Sequence, residues 1–344
     1  MRKLFYKIIA GVFSLLLPAG VMAQADIHFS QFYEMSILRN PALTGVFTDD
    51  YKAGVLYRNQ WSSISNPFQT ALVNGEFRIP IGKNVTDFLS VGLLAYYDKA
   101  GSIDQQIMGV YPAVNYNKSL EDDHHSFLSV GFTGGYLQYS FDPGKATFNN
   151  QFQNGAFNSG NPTGENLPNP KVTIWDMGAG VNFNSSANDN VSYMFGAGGY
   201  HFTEPVNSYY RNPDIKLSMR WNINAALSAK INDYFSLQLQ GNYALEGNYN
   251  EVVFGGLVGW TKPAAIGVDL FTIYAGVFYR AGDAIIPVVK VKYKDMAFGL
   301  SYDANISSLK AATNLRGGYE VSVFKTGVFH TSDNGKTICP TNFY

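Results

Sequence analysis

Phe235-Ser236-Leu237-Gln238-Leu239-Gln240-Gly241-Asn242-Tyr243 alternates without interruption: Ser236, Gln238, Gln240 and Asn242 are polar, and no residue between them is. A helix of 3.6 residues per turn would scatter those groups around its surface, whereas a pleated strand sets them on one side. Residues 215–225 repeat the pattern, with Ile215, Leu217, Met219, Trp221 and Ile223 on one face and Lys216, Ser218, Arg220, Asn222 and Asn224 on the other. Outward from these two stretches, segments of about ten residues recur from about residue 51 to 325, closed by alternating short and long breaks. A strand that crosses lipid shows hydrocarbon on one face and the lumen on the other. The pattern therefore predicts an all-β fold, a transmembrane antiparallel β-barrel.

Bulk composition agrees. Charged residues make up 15% of the 344 positions, against roughly 25% in soluble domains, and a lipid-facing wall requires that shortage. The mean hydropathy of −0.09 fits half-polar strands and opposes helical spans of about 20 apolar residues. The mainly apolar stretch 263–279 is interrupted by Asp269 and reads as a turn feeding a strand. With a formal net charge of −1 and no basic patch, nothing points to nucleic acid.

Arg2, Lys3 and Lys7 precede an apolar core over residues 8–17, and Val21 and Ala23 are small. That is the pattern of a cleavable export leader ending at residue 23. No Cys sits at that junction, which argues against a lipid anchor. Cys339 is the sole cysteine, so an internal disulfide and a multi-thiolate metal cage are both excluded. The expected organisation is a signal peptide over 1–23, an N-terminal periplasmic or plug segment over 24–50, the barrel over 51–326 and a tail over 327–344. Within 24–50, Ile27, Phe29, Phe32, Tyr33, Met35, Ile37 and Leu38 are too apolar for a free tail, and Asn40-Pro41 and Thr44-Gly45 punctuate the run. A short ordered segment tucked into or across the periplasmic end is expected.

Period-two segments number about 14, an even count as bacterial single-chain barrels require. They start near Tyr51, Phe68, Phe88, Ile103, Ser126, Lys171, Asn190, Ile215, Tyr234, Tyr249, Asp269, Ala284, Met296 and Asn314. If the first strand rises from the periplasm, the longest breaks, 141–170, 204–214 and 303–313, all fall on the outer side. The first of these carries four Pro and seven Asn, with Phe148, Phe152 and Phe157 among them. Such rings in a long loop imply one that folds over the barrel mouth or docks a partner. Cations facing lipid would cost about 2–4 kcal/mol each at the midplane, so Arg58, Lys216, Arg220, Lys290, Lys292 and Arg316, together with the acidic Glu320, are assigned to a hydrated, salt-bridged lumen or to a basic constriction that selects anions. Tyr57, Trp61, Tyr96, Tyr97, Trp175, Tyr193, Trp221, Trp260 and Tyr293 fall near strand ends, where aromatic girdles belong.

One ordered set of short motifs carries a family likeness. It begins with His28-Phe29-Ser30-Gln31-Phe32-Tyr33, Asn40-Pro41-Ala42-Leu43-Thr44-Gly45 and Tyr57-Arg58-Asn59-Gln60-Trp61. It continues through Tyr97-Asp98-Lys99-Ala100-Gly101, Tyr139-Ser140-Phe141-Asp142, Trp175-Asp176-Met177-Gly178-Ala179-Gly180 and Gly199-Tyr200-His201-Phe202-Thr203-Glu204-Pro205. Tyr302-Asp303-Ala304-Asn305-Ile306-Ser307-Ser308-Leu309, Gly317-Gly318-Tyr319-Glu320-Val321-Ser322 and Cys339-Pro340 complete it. In this order the motifs resemble the PorP/SprF family of outer-membrane proteins linked to type IX secretion and gliding motility. Thr341-Asn342, between Cys339-Pro340 and the closing Phe343-Tyr344, departs from that pattern. The resemblance implies a barrel in the Gram-negative outer membrane that works with a secreted surface protein or adhesin, or with periplasmic secretion components. It also marks His28, Phe29, Phe32 and Tyr33, beside Phe148, Phe152 and Phe157, as candidate partner contacts.

Enzymatic and cofactor chemistry find little purchase. Asp122-Asp123-His124-His125 is the one dense group of metal-ligand types and reads as an acidic turn. No Gly-x-Ser-x-Gly elbow occurs, and His28, His201 and His330 stand in unrelated contexts. Gly178 and Gly180, like Gly196 and Gly198, alternate within strands and precede no P-loop Lys; in a barrel wall they permit bending or close approach of lumen groups. No catalytic residue, cofactor or metal is expected. The rival to a secretion role is a porin or transporter for small solutes, since about 14 strands enclose either a plugged lumen or a channel.

Overall fold

The computed structural model describes residues 26–62, 66–81, 87–121, 125–165, 169–263, 269–308, 313 and 315–329. The expected leader, the Asp122-Asp123-His124 part of the acidic turn, His330 and Cys339 lie outside the described residues. Strands β1 (Tyr51–Gln60), β2 (Phe68–Pro80), β3 (Phe88–Ala100), β4 (Gln105–Glu121) and β5 (Ser126–Ser140) are followed by a small hairpin, β6 (Phe152–Gln153) and β7 (Ala156–Phe157). Then come β8 (Lys171–Asn188), β9 (Val191–Tyr200), β10 (Arg220–Lys230), β11 (Phe235–Glu246) and β12 (Tyr249–Pro263). Last are β13 (Asp269–Arg280), β14 (Ala284–Tyr293), β15 (Met296–Asn305) and β16 (Arg316–Gly327). β6 and β7 pair antiparallel with each other; the other strands pair antiparallel with their neighbours, and β1 closes on β16, giving a closed barrel of 14 strands.

Thirteen of the expected starts fall within two residues of the observed ones. The exception is the strand expected at Ile215, which begins at Arg220. Residues 215–217 instead fold back on 205–207: Asn207 N–H donates to the Ile215 carbonyl at 2.9 Å, Leu217 N–H donates to Pro205 at 2.9 Å, and Val206 bridges Lys216. The alternation there belongs to a small excursion at the mouth. It carries Lys216 out of the lumen to an exposed position.

Tyr51, Gly327 and Phe77 share one end of the wall, called here the turn end. The opposite, loop end receives residues 141–165, 201–219 and 306–308. Along β8 the alternation separates the two faces: Trp175, Met177 and Val181 are exposed on the outside, whereas Ile174, Asp176 and Asn182 are buried within. Tyr96, expected in a girdle, faces inward and stacks on Tyr111 at 6.3 Å.

The interior is occupied by a packed core. Residues 26–47 fill it as short turns, Phe32–Glu34, Ser36–Arg39 and Pro41–Leu43. Asn40 starts the last of these by accepting the Ala42 N–H at 2.9 Å, with Pro41 at a first-turn position where its missing N–H does no harm. Tyr33, Met35, Ile37, Ala42, Leu43 and Val46 are essentially inaccessible. Phe29, Met35 and Ile37 pack with Leu56, Leu72, Leu94, Tyr111 and Leu137 of the wall. Phe32 and Tyr33 pack with Val253, Leu257, Phe278 and Ile286. Apolar wall residues that face inward thus find a partner in the threaded segment, which removes their surface from water.

Candidate functional site

A row of glycines explains how the chain fits inside its own barrel. Gly131 of β5 lies opposite Gly180 of β8, and Gly180 opposite Gly198 of β9. Asn40, Pro41 and Ala42 lie on this shelf: a Cβ at Gly131 would come within 2.4 Å of the Pro41 carbonyl, and one at Gly180 within 1.9 Å of Asn40 Oδ1. Only residues without a side chain allow so close an approach. Asn40 Nδ2 then donates to the Val181 carbonyl and to Asn224 Oδ1, both at 3.0 Å. Asn115 Nδ2 donates to the carbonyls of Ala42 at 2.9 Å and Thr44 at 2.8 Å.

Charges inside the wall are paired with one another and with the segment. The Glu320 carboxylate accepts the backbone N–H groups of Ser30 at 2.6 Å and Gln31 at 2.8 Å, and also pairs with Arg58. Asp303 sits between two guanidinium groups, 3.1 Å from Arg58 and 3.0 Å from Arg280. Arg280 donates to Ser30 Oγ at 2.7 Å, and Arg58 donates to His28 Nε2 at 3.0 Å. Lower down, Glu34 pairs with Lys52 at 3.3 Å and Lys290 at 2.5 Å. Glu76 accepts from Ser36 Oγ and the Gly45 N–H, each at 2.7 Å. An isolated buried charge costs several kcal/mol, so each of these groups depends on its partners in the wall or in the segment.

Of the residues expected to line the lumen, Arg58, Lys290 and Glu320 are buried inside, and Arg220 lies there with its side chain 14% exposed. Lys292 is half-buried on the same face. Arg316 is exposed, at the loop-end start of β16, and with Lys216 departs from the expectation. The second correction concerns His28, Phe29, Phe32 and Tyr33. They are enclosed by the two apolar clusters and the ion pairs, and present no outward contact surface.

At the loop end, Asp26 pairs with Arg220 at 2.7 Å and lies 3.7 Å from the His201 ring, whose other nitrogen meets Asp176 at 2.9 Å. His201 adopts a left-handed φ of 60°, uncommon for a residue with a side chain, as the chain leaves β9. Burial opposes its charge, but the hydrogen bonds to Asp176 and Asp26 outweigh it and push the imidazolium up to about 9. The mouth is covered by residues 205–217: Leu217 is buried, and Tyr209 packs on the apolar cluster and edge-on to Phe141 at 4.8 Å. The 141–165 loop does not perform that task. Its Phe148 is half-buried, while Phe152 and Phe157 on the β6–β7 hairpin are 60% and 50% exposed. Among the described residues no group of three or more His, Cys, Asp or Glu could hold a metal.

Sequence reasoning missed Asp26, Ser30, Glu34, Asn40, Glu76, Arg280 and Asp303. Asn40-Pro41-Ala42 and the alternating glycines carried a signal for the close approach, but periodicity says nothing about which chain approaches.

A model of the family described as "Type IX secretion system membrane protein PorP/SprF" matches residues 21–324. The chain belongs to the PorP/SprF family. It is thus a type IX secretion system membrane protein built as an outer-membrane β-barrel. No curated protein matches it. Among solved structures, the TodX monoaromatic hydrocarbon channel deltaS2 mutant is similar with a TM-score of 0.50 at 9% identity, over 86% of this chain and 94% of that one. A Pseudomonas aeruginosa FadL homologue gives a TM-score of 0.48 at 13% identity, over 85% and 93%. CymD, a monoaromatic hydrocarbon channel, gives 0.48 at 10%, over 91% and 96%. At these identities the likeness shows the fold alone.

Proposed function

We propose that this PorP/SprF barrel is a non-enzymatic, non-conducting scaffold that anchors or assembles an exported surface protein or adhesin at its loop end, in type IX secretion and gliding motility. The observation that carries this reading is the occupied interior. Residues 26–47 fill the lumen with apolar packing and buried ion pairs, which leaves the wall's exposed connections as the surfaces for recognition. A porin or solute transporter needs a water-filled or transiently opened path, and the filled core opposes it. The loop end is assigned to the cell exterior because outer-membrane barrels carry their long connections outside and their short turns in the periplasm. Phe152 and Phe157, held outward on a hairpin, supply apolar rings to a partner. Periplasmic secretion components would meet the turn end.

The test is crosslinking in whole cells followed by purification of the barrel, for the parent chain and for a chain lacking residues 148–165. The reading predicts recovery of a surface-exported protein with the parent and its loss on deletion, with the barrel still inserted. Equal recovery with both would contradict loop-end anchoring, and recovery of only periplasmic components would move the contact to the turn end.

A further inference from the structure

The two ends of residues 26–47 meet opposite ends of the wall. Asp26 pairs with Arg220, the first residue of β10 at the loop end. Ser30 meets Glu320, whose register partner Arg58 lies near the loop end of β1. Glu34 meets Lys52, the second residue of β1 at the turn end. Finally, the Phe47 carbonyl accepts from Arg78 at 2.7 Å, close to where β2 reaches the turn end. Between Ser30 and Glu34 the chain makes a single 3-10 turn, with Glu34 N–H donating to the Gln31 carbonyl at 3.0 Å, and the Lys52 side chain reaches to Glu34. From there it turns back: Tyr200, the last residue of β9 at the loop end, donates its hydroxyl to the Ile37 carbonyl, and Asn40 meets mid-wall residues before the chain reaches β1.

From these two ends we infer that the segment spans the barrel from mouth to base, turning back once on the way, so that its leading end, Asp26 and Ile27, sits at the outer mouth and forms part of the cell-surface face beside the 201–219 excursion. The inference rests on the sidedness adopted above, with the loop end outside. A segment tucked in from the periplasmic side as a hairpin would bring Asp26 back to the level of Tyr51 and Phe77. Instead Asp26 is held by Arg220 and faces His201, the hinge at which the mouth-covering excursion leaves β9. Leading end and excursion are thus joined by one charged contact, and a partner that grips the outer face would meet both.

The experiment places a short hydrophilic epitope at one of three positions in the full-length protein: immediately before Asp26, after Ser159 in the loop-end hairpin region, or after Asp233 in the β10–β11 turn. Antibody binding is measured on intact cells and again after the outer membrane is permeabilised, with heat-modifiable mobility confirming that each barrel has folded. Outward threading predicts that the first two epitopes are detected on intact cells and the third only after permeabilisation. Detection of the Asp26 epitope solely after permeabilisation, with the Ser159 epitope visible throughout, would overturn the threading while leaving the sidedness standing. An Asp233 epitope visible on intact cells and a Ser159 epitope hidden there would overturn the sidedness, and the inference with it. If the epitope before Asp26 prevents folding, Asp26→Cys in a Cys339→Ser background, labelled with a membrane-impermeant maleimide, gives the same comparison.

Discussion

Arg58 of β1 and Glu320 of β16 pair across the seam at which the first and last strands close the barrel. They do so around the threaded segment, because the same carboxylate accepts the N–H groups of Ser30 and Gln31. Closure of the wall and seating of the segment are therefore one structural event at this position. Removal of the cation alone, in Arg58→Ala, strands Glu320 and leaves Asp303 with one cation fewer. A loss of about 3–5 kcal/mol is expected for a broken buried pair, read as a lower urea midpoint of the detergent-solubilised barrel. An unchanged midpoint would mean that water reaches the pair.

Gly180→Val tests the shelf. The nearest atom to a Cβ there is Asn40 Oδ1 at 1.9 Å, whereas a Cβ at Gly75 meets nothing within 4 Å. Overpacking of this kind costs about 1–3 kcal/mol, and it acts on the segment more directly than on the strand ladder. Limited proteolysis should cut within residues 26–47 of Gly180→Val but not of Gly75→Val. Equal protection in both variants would refute the shelf.

The loop-end contact of His201 has a defined pH dependence. Its folded value of about 9 stands above the ordinary 6.5, so the native state holds the proton more tightly than the unfolded chain. The stabilisation is fully present below about 6.5 and is lost as pH rises through about 9. The slope is at most about 1.4 kcal/mol per pH unit within that window. Stability of the parent chain against unfolding should fall across this range, and His201→Gln should remove that component. Identical pH profiles would show that the imidazolium contributes nothing.

How far the structure could be read in the chain depends on which interactions are periodic. Strand starts such as Tyr51, Phe68, Ser126 and Lys171 were legible because lipid and lumen impose opposite demands on adjacent residues. The same signal misled at Ile215, since alternation marks a pleated segment and not the sheet to which it belongs. Arg58, Lys290 and Glu320 could be assigned inward from the expense of a charge in lipid, but their partners Ser30 and Glu34 could not. Those contacts join residues more than 250 positions apart or sit on single turns with no repeat. For the same reason Phe29 and Phe32 read as candidate contacts for another protein. Their partner is the inside of their own barrel.

The central claim is that the threaded segment seals the lumen, and single-channel conductance in planar bilayers tests it most directly. The account predicts no stable open channel for the parent protein and a steady conductance for a chain lacking residues 26–47 that still inserts as a folded barrel. A persistent open pore in the parent protein would contradict it.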